Sequence, residues 1–297
     1  MRMQSSTRTA KSVKELLRAP FVWRARYRDL AIERRLRHEL AVAAIFREEA
    51  PFLDEWLTFH AGIGVEHFYL YNNFSTDDFR DVLDPWIARG LVTLTEWPVK
   101  VGQLSAYRHC VRSAADTARW IAFIDIDEFL FSPTQRDIRP ILAGYRDLPG
   151  LIVYSPYFGA SGHRARPPGA VVEAYTRRAP LTHVSAKTIA NPRWIYRIRN
   201  VHVFKYLFGD ALDTDRNQLI HGGVGALDRL RLNHYWSRSL QDLDAKIRRG
   251  DASSAAARKL EWHLEYETKL NAEEDLTILP ISRSVREDAG RSYVLSR

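Results

Sequence analysis

The run Trp120-Ile121-Ala122-Phe123-Ile124, continuing into Asp125-Ile126-Asp127-Glu128-Phe129-Leu130, constrains the fold more than any other part of the chain. A segment that is apolar at every position leaves no side for water. It therefore reads as a strand buried on both faces, the kind that parallel sheets carry between layers of helices. Its carboxyl end then delivers Asp125, Asp127 and Glu128 to a cleft. Because successive strand side chains point to opposite faces, Asp125 and Asp127 are expected on one face and Glu128 on the other. Two carboxylates on one face suit a hard cation such as Mn²⁺ or Mg²⁺, which takes oxygen ligands and leaves room for substrate phosphates. The plainer alternative is that the two acids cap the next element or pair with arginine at the surface.

The rest of the first half supports a strand-and-helix alternation. Leu40 to Phe46 reads as a short apolar strand. Pro51 opens a helix in which Phe52, Leu53, Trp56, Leu57 and His60 recur at helical spacing until Gly62 and Gly64. His67 to Tyr71 is a second strand. The capping cluster Ser75-Thr76-Asp77-Asp78 precedes a helix marked by Phe79, Val82, Leu83, Trp86 and Ile87. Leu91 to Trp97 alternates as a third strand, and Leu104, Tyr107, Val111, Ala114 and Ala118 mark the helix before the acidic strand. Alternating elements of this kind imply an α/β fold with a mostly parallel central sheet and helices on both faces. Ligands of such sheets bind beyond the carboxyl ends of the strands. Those ends carry Arg47-Glu48-Glu49, Asn72-Asn73 and Asp125-Ile126-Asp127, three polar clusters expected to meet in one crevice.

Beyond residue 150 the periodicity fades into Gly-, Pro- and Arg-rich stretches that read as loops and short strands shaping an acceptor site. Ser239 to Arg249, with Leu240, Leu243 and Ile247 in phase and Gly250 at the end, is a late helix. A further helix carries Leu260, Trp262 and Leu264, followed by an ill-defined tail. The expected domains are a basic arm over 1–38, a catalytic domain over 39–250 and a helical extension over 251–297. The catalytic domain divides into a nucleotide-binding half, 39–130, and an acceptor-binding half, 131–250.

Charge bounds the partners. Of the 297 residues, 1–37 contain eleven Lys or Arg against three acids, while the remainder is balanced at 33 of each. That arm also carries Phe21, Val22, Trp23 and Tyr27, so it reads as a solvated tail or as a peripheral contact with an anionic membrane. No basic groove with recurring aromatics is present, which speaks against nucleic acid. The single Cys110 excludes an internal disulfide and a cysteine metal cage. No apolar run of membrane-spanning length and no secretory leader is seen, so a cytoplasmic location is expected, with docking at the inner membrane face as an option.

Taken in order, these fragments resemble glycosyltransferase family 92 and the related family-2-like bacterial glycosyltransferases of GT-A fold, which carry an Asp-x-Asp motif. The resemblance covers roughly residues 40 to 250. It rests on Arg47-Glu48-Glu49, Phe52-Leu53-Asp54-Glu55-Trp56-Leu57, His60 and Gly64-Val65 with His67-Phe68-Tyr69, then Tyr71-Asn72-Asn73-Phe74-Ser75-Thr76-Asp77. It continues through Gln103, Ala106-Tyr107, Cys110, Trp120, Asp125-Ile126-Asp127-Glu128-Phe129, Lys187, Asn233-His234-Tyr235, Ser239, Lys246 and Gly250. It implies metal-dependent, inverting transfer of a sugar from a nucleotide diphosphate donor, a UDP-sugar and by family habit UDP-galactose, to a hydroxyl of a glycan or lipid-linked acceptor.

The resemblance also implies roles. Asp125 and Asp127 would hold Mn²⁺ or Mg²⁺ against the diphosphate, with His234 as a further ligand. Arg47 and Glu48 would meet the ribose and base edge, Asn73 and Asp77 the uracil side, and Gln103 with Tyr107 would close over it. Lys187 and His202 would approach the phosphates. A carboxylate base is needed near the acceptor hydroxyl, and Asp213, Asp215 and then Glu173 are the candidates. Each has a plain structural counterpart: a core histidine at 234, helix caps at 75–77, a surface lysine at 187, solvated acids at 173, 213 and 215. Two rival functions remain open at this stage. One is a haloacid-dehalogenase-like phosphatase using Asp125 and Asp127; the other is a non-catalytic membrane-surface binding module.

Overall fold

The computed structural model describes Ile32 and residues 35–182, 184–220, 223–250 and 260–295. The expectations for the basic arm before residue 35 and for 251–259 fall outside them. Strand β1 (His38–Phe46) lies between and parallel to β2 (His67–Asn72) and β4 (Ala118–Phe123), and β3 (Val92–Glu96) extends the parallel set beside β2. Helix α1 (Ala50–Gly62) connects β1 to β2, α2 (Phe79–Ala88) connects β2 to β3, and α3 (Gln103–Ala114) returns the chain to β4. The first half of the chain is therefore wound as its alternation predicts.

The pleat explains why helices cover both faces. Leu40, Val42, Ala44 and Phe46 of β1 join Trp120 and Ala122 in a core with Leu53, Trp56 and Leu57 of α1. Ala41, Ala43 and Ile45 join Ile121 and Phe123 in a second core with Ala106, Tyr107 and Cys110 of α3. Each fully buried side chain of this size contributes roughly 1.5–3 kcal/mol relative to exposure. Helix α1 starts with Pro51 in its first turn, where the missing N–H costs nothing. It ends before Gly64, whose φ of +106° and whose Cα lies so near Asp137 that a Cβ would come to 2.5 Å from its carboxylate.

Beyond β4 the sheet changes character. It continues antiparallel through β8 (Val184–Ala190) and β6 (Gly150–Phe158) to β7 (Arg177–Arg178) and β12 (Glu273–Glu274). β5 (Glu128–Phe131) pairs antiparallel with β11 (Arg231–Tyr235), which runs parallel to β6. A hairpin of β9 (Ile195–Ile198) and β10 (Phe204–Tyr206) forms a separate ribbon. The short helices α4 (Arg139–Ala143) and α5 (Val171–Ala174) precede α6 (Leu240–Arg249), α7 (Leu260–Lys269) and α8 (Leu279–Leu295).

Three expectations need correction. The second half contains long strands, β6 of nine residues and β8 of seven, where loops and short strands were expected. Leu151-Ile152-Val153-Tyr154 in β6 is apolar because both faces are covered, and such a run has no period by which to recognise it. The tail after residue 270 is the helix α8, whose Ile281 and Val285 are buried in the main core; Val285 stands over Gly62. Finally, β4 stops at Phe123, so Asp125 and Asp127 lie in the turn before β5, closed by the Glu128 N–H donating to Asp125 O at 3.0 Å. The turn drives Ile126 into the core and brings both acids to one cleft.

Candidate active site

A cleft of about 230 Å³ opens at the carboxyl ends of β1, β2 and β4. Arg47, Glu49, Asn73, Gln103, Asp125 and Asp127 line it from the first half. Tyr157, Ser185, Lys187, His202, His234, Trp236, Lys246 and Arg249 line it from the second. The three strand-end clusters do meet, and the second half contributes most of the cations that face them.

Asp125 is held on both oxygens. Gln103 Nε2 donates to Oδ1 at 2.7 Å with the Tyr107 hydroxyl at 3.5 Å, and Lys187 Nζ donates to Oδ2 at 2.6 Å. Lys187 is buried and lies 3.4 Å from Glu128 Oε2 as well. Burial alone would pull its pKa down; the carboxylates of Asp125 and Glu128 override that and hold it well above the usual lysine range. Glu128 has no exposed surface and its Oε2 accepts the Asp125 N–H at 2.9 Å. Burial raises its carboxyl to about 7, against the pull of Lys187.

Asp127 Oδ2 accepts from Lys246 Nζ at 2.5 Å, and His234 Nε2 stands 3.4 Å from the same oxygen. Burial pushes the Asp127 carboxyl up, yet Lys246 and His234 reverse this and keep it well below the ordinary range. On the other side of the imidazole, His234 Nδ1 is 3.4 Å from Glu128 Oε1, within ion-pair distance, and neither of these buried atoms has a hydrogen-bond partner. A carboxylate behind one ring nitrogen turns the opposite nitrogen toward the cleft, the arrangement that orients histidine metal ligands. No group of three or more His, Cys, Asp and Glu is placed to hold a metal among the described residues. The residues still fit a divalent ion in the manner of Mg²⁺ or Mn²⁺, with Asp127 and His234 as protein ligands and substrate oxygens completing the shell.

Several expected site residues hold the cleft's frame or lie outside it. Tyr107 is fully buried behind Gln103, and burial raises its phenol far above the normal value. Glu48 does not line the cleft; its Oε1 accepts from Thr76 N at 2.7 Å and ties the first strand end to the second. Asp77 accepts the Ala50 N–H at 2.8 Å, so it caps α1, the helix before it in sequence, and burial raises its carboxyl. No side chain of the 75–78 cluster caps α2. Asn73 lines the cleft with its Nδ2 spent on the carbonyls of Trp97 and Val99 at 2.8 and 3.0 Å.

The three carboxylates nominated as base are not in the cleft. Asp213 is buried and organises its own loop, accepting from Asp215 N and Asn217 N at 3.0 and 2.9 Å. Asp215 is exposed in that loop, and Glu173 pairs with Arg286. His202 does reach the cleft. Its Nδ1 donates to Ala186 O at 2.7 Å, on the edge that β8 exposes once β4 has ended, and burial lowers its pKa, with Lys187 assisting. A neighbouring cavity of about 260 Å³ lies beyond it, and His202 is the residue that lines both.

Sequence reasoning placed Glu49 in a strand-end cluster and Lys246 among the family fragments without giving either a role, and it passed over Arg249 as a site residue. Glu49 is buried between Arg238, 2.6 Å away, and Arg249. Lys246 and Arg249 belong to the last turn of α6, where cations suit the negative end of the helix dipole. Their spacing of three along one helix face was the available signal.

The model of glycosyltransferase family 92 matches residues 38–249 of the 297. The chain belongs to that family. It is 34% identical over 178 residues to a family 92 protein of Oryza sativa subsp. japonica, covering 57% of this chain and 30% of the relative. It is 26% identical over 103 residues to the galactan β-1,4-galactosyltransferase GALS2 of Arabidopsis thaliana, covering 31% and 20%. The chain thus spans less than a third of the length of either relative. Residues 1–349 of TarS from S. aureus superpose with a TM-score of 0.36 at 12% identity, covering 52% of this chain and 47% of that one. The fold described above is α/β, and membership in a glycosyltransferase family weighs against the phosphatase reading.

Proposed function

We propose that this family 92 chain transfers a sugar from a UDP-sugar to a hydroxyl of a glycan or lipid-linked acceptor. The observation that carries the reading is the single cleft in which Asp125, Asp127 and His234 face Lys187, Lys246 and Arg249. Such a site suits a cation and a diphosphate together, and it lies where open α/β sheets bind nucleotides. The likeness to a galactan galactosyltransferase makes UDP-galactose the first donor to try.

A divalent ion held by Asp127 and His234 would supply positive charge to the departing diphosphate. The chain's own residues do the remaining work. Lys187 and Gln103 hold Asp125 in place on both oxygens, so that it meets the donor without reorganising. Glu128 holds the His234 ring in the orientation that presents Nε2. Arg47 and Asn73, at the first two strand ends, border the space left for the nucleoside. In the acceptor step the hydroxyl oxygen bonds to the anomeric carbon while the carbon–oxygen bond to phosphate breaks and its electron pair leaves with UDP. The neutral His202 is suited to take the hydroxyl proton, since its Nδ1–H is committed to Ala186 O and Nε2 is the acceptor nitrogen.

The deciding experiment is a thermal-shift panel of nucleotides and nucleotide sugars with and without Mn²⁺, because a ligand of the native state raises the melting temperature. Stabilisation by UDP that depends on Mn²⁺ supports the donor class; indifference to every nucleotide rejects it. We further propose that residues 1–37 hold the protein on anionic cytoplasmic membranes. Co-sedimentation with phosphatidylserine vesicles, lost at high salt, tests that contact.

A further inference from the structure

The acids of the cleft are not bare. Lys187 is paired with Asp125, Lys246 with Asp127, and Arg238 and Arg249 with Glu49. With each carboxylate balanced by a neighbouring cation, the cleft holds little unopposed negative charge for a divalent ion arriving alone. Lys246 matters most here, because its ammonium lies on Asp127 Oδ2, the same oxygen that His234 Nε2 approaches.

Lys246 is also placed to serve a second partner. It projects from the last turn of α6, with Arg249 one turn-step further along the same cleft wall. It also donates to the Trp236 carbonyl at 3.0 Å and lies 5.5 Å from the centre of the Trp236 ring. An ammonium on a long flexible stem can move a few ångströms from one carboxylate oxygen to a phosphate oxygen in the same cleft. The metal then replaces the ammonium as the cation beside Asp127, and the diphosphate replaces Asp127 as the anion beside the ammonium.

On the transferase reading above, we propose that Lys246 exchanges Asp127 for the donor's diphosphate, so that the divalent ion binds strongly only together with the nucleotide. Metal and nucleoside diphosphate each favour the arrangement in which Lys246 has left Asp127. Linkage then makes the coupling reciprocal: UDP strengthens Mn²⁺ binding by the same factor by which Mn²⁺ strengthens UDP binding. Lys246 contributes to both sides with opposite sign. It opposes the lone metal and favours the nucleotide.

The test uses the full chain and measures free Mn²⁺ by electron paramagnetic resonance, with and without UDP, and UDP binding by calorimetry with and without Mn²⁺. In the wild type UDP should tighten Mn²⁺ by about 5- to 150-fold, the usual range of coupled sites. Lys246→Met should bind Mn²⁺ about 10-fold more tightly in the absence of UDP, bind UDP more weakly in its presence, and shrink the coupling factor. Lys246→Arg, which retains the charge, should restore UDP binding and the coupling. Unchanged Mn²⁺ and UDP affinities in Lys246→Met, with the variant melting as the wild type does, would overturn the exchange while leaving the transferase reading intact. Failure of the wild type to bind UDP at all, with or without Mn²⁺, overturns both.

Discussion

The two halves of this chain build one cleft from opposite materials. The parallel half, from β1 to β4, supplies the carboxylates Glu49, Asp125 and Asp127, and does so from strand ends and the turn that follows them. The antiparallel half supplies Lys187, His202, His234, Lys246 and Arg249 from strands, a hairpin loop and a helix end. Neither set is stable alone in a buried place, because an unpaired buried charge costs several kcal/mol. The cleft is therefore also the seam, and its chemistry and the docking of the halves share the same ion pairs.

The strongest way to break that comparison is to remove Lys187. Lys187→Met leaves Glu128 buried without its cation and should cost about 3–5 kcal/mol of stability, the range for breaking one side of a buried pair. Chemical denaturation measures this, and a loss within 0.5 kcal/mol would show that the halves do not lean on the Lys187–Asp125–Glu128 cluster. Less drastic is Glu128→Gln, which weakens the hold on His234; Mn²⁺ affinity in the presence of UDP should fall about 10- to 100-fold. Equal affinity for the two proteins would mean that Glu128 orients nothing.

A third probe separates the halves by pH. His60 sits in the parallel core, with Nδ1 donating to Trp56 O at 2.8 Å and Nε2 accepting the Leu130 N–H at 3.1 Å, so both bonds require the neutral ring. Burial lowers its pKa from 6.5 to about 3. Below pH 6.5 the unfolded chain takes up a proton there that the folded chain refuses. Stability is thus lost as pH falls from about 6.5 towards 3, with a slope approaching about 1.4 kcal/mol per pH unit from this group. His67, lowered by burial to about 4, acts in the same direction. The urea midpoint of wild type against His60→Gln, followed from pH 7 to pH 4, isolates the first contribution; parallel curves would refute it.

The smallest expected effect lies in the second half. Ser239 caps α6, accepting from Asp242 N while the Asp242 side chain accepts from the Ser239 N–H. Ser239→Ala should lower stability by about 1 kcal/mol, and because α6 carries Lys246 and Arg249 it should also weaken UDP binding. Calorimetry on the variant that shows lower melting but unaltered UDP affinity would mean that the helix end is held by its ion pairs alone.

Much of this was legible in the residues. The alternation of apolar strand and amphipathic helix up to Phe123 needs only local periodicity, and the helix from Pro51 to Gly62 follows from spacing and a proline start. The convergence of Arg47, Asn73 and Asp125 also follows, because parallel winding puts every carboxyl end on one side. The second half was harder: β6 is buried on both faces and so carries no period, and its place beside β8 is a long-range pairing. Asp213 illustrates the limit at the level of one residue. Its neighbours in sequence suggest a polar loop with an available acid, whereas the fold turns it inward onto its own backbone.

By itself the sequence determined the winding of the first half and the identity of the acids at its tips, since both depend on contacts between residues near one another in the chain. Only the tertiary structure decided which cations meet those acids. Lys187 reaches Asp125 across 62 positions and Lys246 reaches Asp127 across 119. Pairings at such separation are chosen by the packing of whole layers, and no local pattern of charge or hydrophobicity encodes them.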